Sequence, residues 1–414
     1  MPSNLSILSI LLGLGALLYQ FALKDYLFAT QGLGRTIQHV SEFPYECHRI
    51  HGDPNIQACE DMWLDEESRT LFLACSDPMA RKEWMPNIHR LNASGRALHD
   101  HVVAMNLDNP SSEGGFTYHV LERPGFPGVH GDGRIHVVGI TGTRRRSADS
   151  DADEDNSEIE LWLINAQPSV DPVTGELLDN AVVGGNSTIE VFRTKPGADT
   201  MEHLKTFAHP QIATPNNIAV TKDGGCFFTN DHGPHKTGWQ HHLSTYLGTG
   251  DVSYCSASGE CKRVATGFKF PNGLLLASDG LLYVPSAAIG GITVFEPLPD
   301  GSLKKVHYID LDYPMDNLSE DANGDIFAAG FPKIAEVLGA FDEPLKAVAP
   351  ATVWRVRRLN RNVPDKYEYE LFKVIEDADG EVLPIMTTVI HDASTGRLFM
   401  SGVVSPFITV CEKI

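Results

Sequence analysis

The chain has 414 residues, 42% of them hydrophobic, and carries 54 acidic against 33 basic side chains for a formal charge of −21. A chain of that length and apolar content can bury a large core, while its negative charge repels phosphate backbones and argues against a nucleic-acid partner. Ordinary contents of aromatic (8%) and charged (21%) residues exclude a disordered chain or a multi-span membrane protein, and 37 glycines with 25 prolines suit many turns between short strands.

In chain order, the first element is the apolar run Leu5 to Leu23, about the length of a bilayer-spanning helix. It predicts an N-terminal hydrophobic helix that serves as a signal or a retained anchor within a segment and linker of residues 1–39. The anchor is favoured because no small-x-small cleavage site follows the run. The expected body, residues 40–414, then lies in the secretory pathway, lumenal or extracellular, with membrane association through residues 5–23. Two Asn-x-Ser/Thr acceptors, Asn92 and Asn186, agree with that route. Seven cysteines in an oxidising compartment predict pairing. Cys47 and Cys411 stand at opposite ends of the body, where a bridge ties first strand to last, and Cys255 and Cys261 flank a short turn that a bridge would staple. Cys59, Cys75 and Cys226 sit beside apolar residues and are expected to be small buried thiols.

Past residue 40, one phrase recurs: a polar residue or pair, a short apolar strand, an acidic or glycine-bearing turn, and a second apolar strand. It begins at Glu60, Asn216, Asn272, Asp316 and Thr387, and a further copy fits Gly133 to Gly142. A hairpin unit repeated about six times marks an all-β fold, a six-bladed β-propeller, in preference to paired sandwiches or two barrels. The first strand of each blade lines the axis, so the repeated polar residues should converge. Glu60, Asp61, Asn216, Asn217, Asn272, Asp316 and Asn317 offer carboxylates and amide carbonyls without thiolates or clustered imidazoles. Calcium takes such hard oxygen donors, whereas zinc and copper do not select them. At one position, an Asn or Asp at a strand start is more simply a turn-former; at matched points of several repeats, a cage for Ca²⁺ is the better account.

These residues resemble the paraoxonase/arylesterase family of lactonases. The resemblance covers about residue 40 to 414 through the Glu60-Asp61 pair after Cys47, Pro-Asn-Asn-Ile at 215–218, Thr-Asn-Asp-His at 229–232, Phe-Pro-Asn-Gly at 270–273, Asp316-Asn317, and Cys411-Glu412. It implies a six-bladed calcium propeller, related in architecture to gluconolactonase-type and strictosidine-synthase-like proteins, which hydrolyses lactones and aryl esters. It also implies that Glu60, Asn216, Asn272, Asp316 and Asn317 hold a catalytic calcium, and that Asp61 with residue 217 holds a second, structural one. Asn217 stands where the family's pattern has an aspartate, which predicts weak or missing occupancy of that second site. The family's general base maps onto His136, outside the usual Pro-His-Gly context, and its orienting histidine is lost in the stretch Ile164 to Pro168. His232 is a secondary catalytic candidate. The competing expectation is a non-catalytic, calcium-stabilised propeller that binds a protein or lipid partner.

Three other signals are weaker. Arg144, Arg145 and Arg146 and the acidic run after them predict a solvated loop. Asp149, Asp151, Asp153 and Glu160 have EF-hand spacing but lack the glycine and the flanking helices. The imidazoles of His232, His235, His241 and His242 follow no helical face and are expected to be incidental. No Gly-x-Ser-x-Gly motif points to a serine nucleophile.

Overall fold

A computed structural model describes residues 4–110, 115–145, 158–361, 363, 365–383 and 385–414. Its body is six four-stranded antiparallel sheets arranged as the blades of a propeller. Blade 1 comprises Asp61–Asp65, Thr70–Cys75, His101–Pro110 and Phe116–Val120. Blade 2 begins at Val137–Arg145, blade 3 at Pro215–Val220, blade 4 at Leu275–Leu276, blade 5 at Met315–Glu320 and blade 6 at Thr388–Asp392. The six starts coincide with the recurring phrase. Near-continuous apolar runs bury both faces of the inner strands, as in Thr70–Cys75, where all six residues are buried. The core lies between blades: Phe72 and Ala74 of blade 1 pack with Ile140, Leu161 and Phe192 of blade 2.

Blade 6 closes the ring. Its outer strand, Tyr45–His51, comes from the other end of the chain and pairs with Phe407–Lys413, placing Cys47 opposite Cys411, and the two form a disulfide. Cys255 and Cys261 are bridged as well, while Cys226 is a buried free thiol. Cys59 and Cys75 are not free thiols but a disulfide. The register Asp61↔Ala74 brings Cys59 beside Cys75, a proximity that residue type alone does not reveal.

The N-terminal apolar run is helical over Asn4–Leu18 and continues in wider turns over Tyr19–Leu23 and Tyr26–Thr30. Among the described residues, no helix is long and apolar enough to cross a membrane. The end of this segment docks on the propeller: Thr30 Oγ1 donates to the Ala288 carbonyl at 2.6 Å, and the Arg35 guanidinium lies 4.1 Å over the Tyr313 ring. Arg144 and Arg145 belong to a strand, not a loop, and pair with Asp65 and Glu160. Glu160 lies in the neighbouring strand Glu158–Asn165. Arg146, Asp149, Asp151 and Asp153 lie outside the described residues.

Candidate metal centre and active site

A cavity of about 310 Å³ opens at one end of the channel, with Glu60, Asn216, Asn272 and Asp316 in its lining. The four side chains arrive from blades 1, 3, 4 and 5, each at or just before the first strand of its blade. The backbone has to approach closely for this: a Cβ on Gly273 would sit 2.4 Å from the Asn317 Cα, so only glycine after Asn272 lets blades 4 and 5 meet there. The upper walls are apolar, with Met85, Ile88, Phe270, Phe331, Val337 and Phe341 among them, and the N-terminal segment adds Tyr26 and Thr30. Phe270 holds a left-handed backbone at φ 55°, a conformation that a bulky residue adopts only where its surroundings enforce it.

The floor is short of donors. Glu60 Oε2, Asn216 Oδ1, Asn272 Oδ1 and Asp316 Oδ1 are buried with no hydrogen-bond partner. Burial, and then the charge of Asp61, pushes the Glu60 carboxyl up to about 8, and Asp316 is also raised by burial and by Glu60, Asp61 and Asp231. Unpaired buried oxygens are rare because each forfeits its hydration. Two carboxylates and two amide carbonyls facing one space fit a hard divalent cation. Asn317 departs from the expected set: its Nδ2 donates to the Glu60 carbonyl and Oε1, and its Oδ1 accepts from Asn217 Nδ2 at 2.9 Å. It orients Glu60, and its Oδ1 already accepts one hydrogen bond.

Asp61 and Asn217 face the other way, into a second cavity further along the same strands, as alternation along a strand requires. Their environment does not fit an ion. Asp61 Oδ1 accepts from Met62 N and Thr388 Oγ1, and its Oδ2 accepts from Ile140 N and from Asn217 Nδ2 at 3.0 Å. The Asn217 amide thus stands where a cation would otherwise be needed.

His136 precedes the first strand of blade 2 and is 2% exposed. Neither ring nitrogen has a partner. Burial and the guanidinium groups of Arg96, Arg81, Arg134 and Arg123 hold it down to about 3, so the ring is neutral. It is not part of the cavity lining. Asn165, from the strand end where the orienting histidine is missing, binds the His136 backbone N–H through Oδ1 and leaves the ring alone. His232 is spent on structure: Nε2 bonds the Asn87 carbonyl at 2.7 Å, and Nδ1 bonds the Ser244 hydroxyl. Two contributors were not singled out from sequence. Asp231 is fully buried with an unpartnered Oδ1, and Asn87 donates to its other oxygen at 2.5 Å. Asp231 sits in the quoted Thr-Asn-Asp-His phrase, but after the second strand of its blade and away from the matched points. His241 and His242 lie on the helix Gly238–Leu247 and are joined there by His89 from blade 1's long connection. Asn92 and Asn186 are both exposed.

A propeller with an apolar cavity over an oxygen-lined floor defines the class of the fold. The Arylesterase family model matches residues 180–388, half of the chain, and the chain belongs to that family. Serum paraoxonase/arylesterase 1 of Rattus norvegicus is 30% identical over 152 residues, covering 36% of this chain and 42% of that protein. Serum paraoxonase/arylesterase 2 of Canis lupus familiaris is 32% identical over 150 residues, covering 35% and 42%. The chain therefore spans less than half the length of the curated relatives it matches. Among solved structures, a gluconolactonase of Xanthomonas campestris shares 15% identity at a TM-score of 0.46, covering 91% of this chain and 93% of that one. A regucalcin described as calcium-binding, from Agrobacterium tumefaciens, shares 11% identity at a TM-score of 0.43, covering 89% and 94%.

Proposed function

We propose that this chain is a calcium-dependent hydrolase of lactones and aryl esters. The observation that carries this reading is the group of four buried oxygens without donors on the floor of an apolar cavity. Glu60, Asn216, Asn272 and Asp316 would hold one calcium, oriented by Asn317 and with Asp231 behind them. When bound, calcium supplies a Lewis acid that polarises an ester carbonyl and stabilises the developing oxyanion. The chain's own residues do the rest. Phe270, Phe331, Val337 and Phe341 take the apolar body of the substrate and exclude water from it. His136 is kept as the candidate proton acceptor on the family resemblance; both its ring nitrogens lack partners, but it stands outside the cavity lining and burial lowers its proton affinity, so it would act only through an intervening water. His232 positions Asn87, which in turn orients Asp231. The family membership and the curated paraoxonase/arylesterase relatives support the substrate class.

One observation favours the reading of a non-catalytic propeller stabilised by calcium: no histidine is part of the cavity lining among the described residues. Assay of the full chain against a panel of lactones and phenyl acetate separates the two. Turnover that chelator abolishes and added calcium restores, and that Asp316→Asn loses, supports the hydrolase. Bound calcium with no turnover on any member of the panel supports the binding protein. The N-terminal run as a membrane attachment, passage through the secretory pathway, and glycans on Asn92 and Asn186 belong to the same proposal and are tested by fractionating the full chain before and after glycosidase.

A further inference from the structure

Beside the wall residues Asn87, Ile88, Thr245 and Tyr246, and outside the lining itself, stands a second cluster of polar groups that ester hydrolysis does not use. His89, His241 and His242 each bring a ring nitrogen to within 4.8 Å of the others. They come from two remote elements. His89 ends the short turn Pro86–Ile88 in a left-handed conformation, φ 62° and ψ 28°, and His241 and His242 are neighbours on the helix Gly238–Leu247. Ring centroids lie 4.1 Å apart for His89 and His242 and 5.0 Å apart for His89 and His241.

Two of the nitrogens have nothing to bind. His241 is 2% exposed, and its Nε2 is buried without a partner, as is His89 Nδ1. His232 stacks on His241 at 3.6 Å between centroids and packs the ring in place.

Three imidazoles with no carboxylate among them suit a borderline divalent transition ion and not calcium, the reverse of the channel floor. In a tetrahedral shell with bonds of roughly 2.0 to 2.1 Å the nitrogens stand roughly 3.3 Å apart. His242 is exposed and can turn its ring to close the remaining gap.

We infer that His89, His241 and His242 form a site for a divalent transition-metal ion of the zinc type, which pins the helix Gly238–Leu247 to the turn Pro86–Ile88 at the cavity mouth. Both elements contribute to the wall: Asn87 and Ile88 from the turn, Thr245 and Tyr246 from the helix. Tyr246 in turn packs against Tyr26 of the N-terminal segment at 5.8 Å, so the ion fixes the side of the mouth on which that segment rests. The fourth ligand position is open to water, as it is in other three-histidine sites.

The test uses the full chain, treated with chelator, returned to saturating calcium, and titrated with Co²⁺. The expected result is one equivalent of Co²⁺ bound with visible d–d absorption, bleached when Zn²⁺ is added. His242→Ala, an exposed position that leaves the fold intact, lowers the affinity at least about tenfold, while His235→Ala, outside the cluster, leaves it unchanged. No d–d absorption in the parent, or equal Co²⁺ affinity in the parent and His242→Ala, overturns the inference. Because the readout is metal binding under saturating calcium, its outcome is independent of whether the chain hydrolyses any ester.

Discussion

Removing the proposed calcium exposes the electrostatic strain of the channel floor to titration, and the sign follows from the direction of the shifts. Burial and Asp61 raise the Glu60 carboxyl from its ordinary 4.5 to about 8. The folded-state value lies above the unfolded one, so the metal-free fold holds this proton more tightly than the unfolded chain does. The resulting stabilisation is complete below pH 4.5 and is lost as the pH rises through about 8. At about 1.4 kcal/mol per pKa unit, the shift is worth on the order of 5 kcal/mol for this fully buried group, and Asp316 moves in the same direction. A bound calcium competes with those protons, so its added stability should grow with pH over the same window. Chemical denaturation at intervals between about pH 5 and pH 9, once with chelator and once with saturating calcium, reads the difference directly. The metal-free curve should fall as pH rises while the calcium curve stays nearly level. Two parallel curves would show that the oxygens of Glu60 and Asp316 do not share a cation.

Four further outcomes follow from the same geometry. Gly273→Ala sets a Cβ 2.4 Å from the Asn317 Cα, a backbone atom that cannot swing aside, and is expected to lower stability by about 1–3 kcal/mol and bound calcium with it, measured by denaturation and elemental analysis. Asn217→Asp removes the amide that satisfies Asp61, so the metal-free protein should lose stability and the calcium content should rise by one equivalent. His136→Gln should reduce kcat/KM by about 100-fold; because burial and nearby arginines hold His136 down to about 3, the parent's pH–rate profile should show no inflection near the ordinary histidine value of about 6.5. Serine at both Cys59 and Cys75 opens a loop spanning a sequence separation of 16, which by chain entropy costs about 3 kcal/mol, measurable as a shift in denaturation midpoint.

The propeller was legible because its repeat is written in local chemistry: a polar residue, a strand, a turn and a strand recur, and circular closure then dictates which residues meet. That Glu60, Asn216, Asn272 and Asp316 line one cavity was legible for the same reason, since each occupies the matched point of its blade. What escaped depends on contacts that no matched point encodes. The Cys59–Cys75 bridge requires the register of one hairpin. Asp231 stands behind the floor, just after a second strand, and Asn87 supports it from a turn in another blade. His89 meets His241 and His242 only because the connection within blade 1 folds over blade 3. Asn317 has the right residue type at the right point, yet its amide is consumed between Glu60 and Asn217, a matter of side-chain orientation that residue type does not specify.

The doubled residues Glu60-Asp61, Asn216-Asn217 and Asp316-Asn317 set two different polar environments at the two ends of the channel. Alternation sends the first member of each pair towards the apolar cavity and leaves Asp61 and Asn217 on the opposite side. On the first side, Glu60 and Asp316 each keep an oxygen without a donor. A buried carboxylate in that condition is costly unless an opposite charge compensates it. On the other side, a single carboxylate receives four hydrogen bonds, one of them from Asn217. An aspartate at 217 would face Asp61 as a like charge and remove that donor, recreating on this side the demand for a cation. On the proposed reading, one amide in place of one carboxylate would limit the propeller to a single calcium, held beneath the apolar cavity.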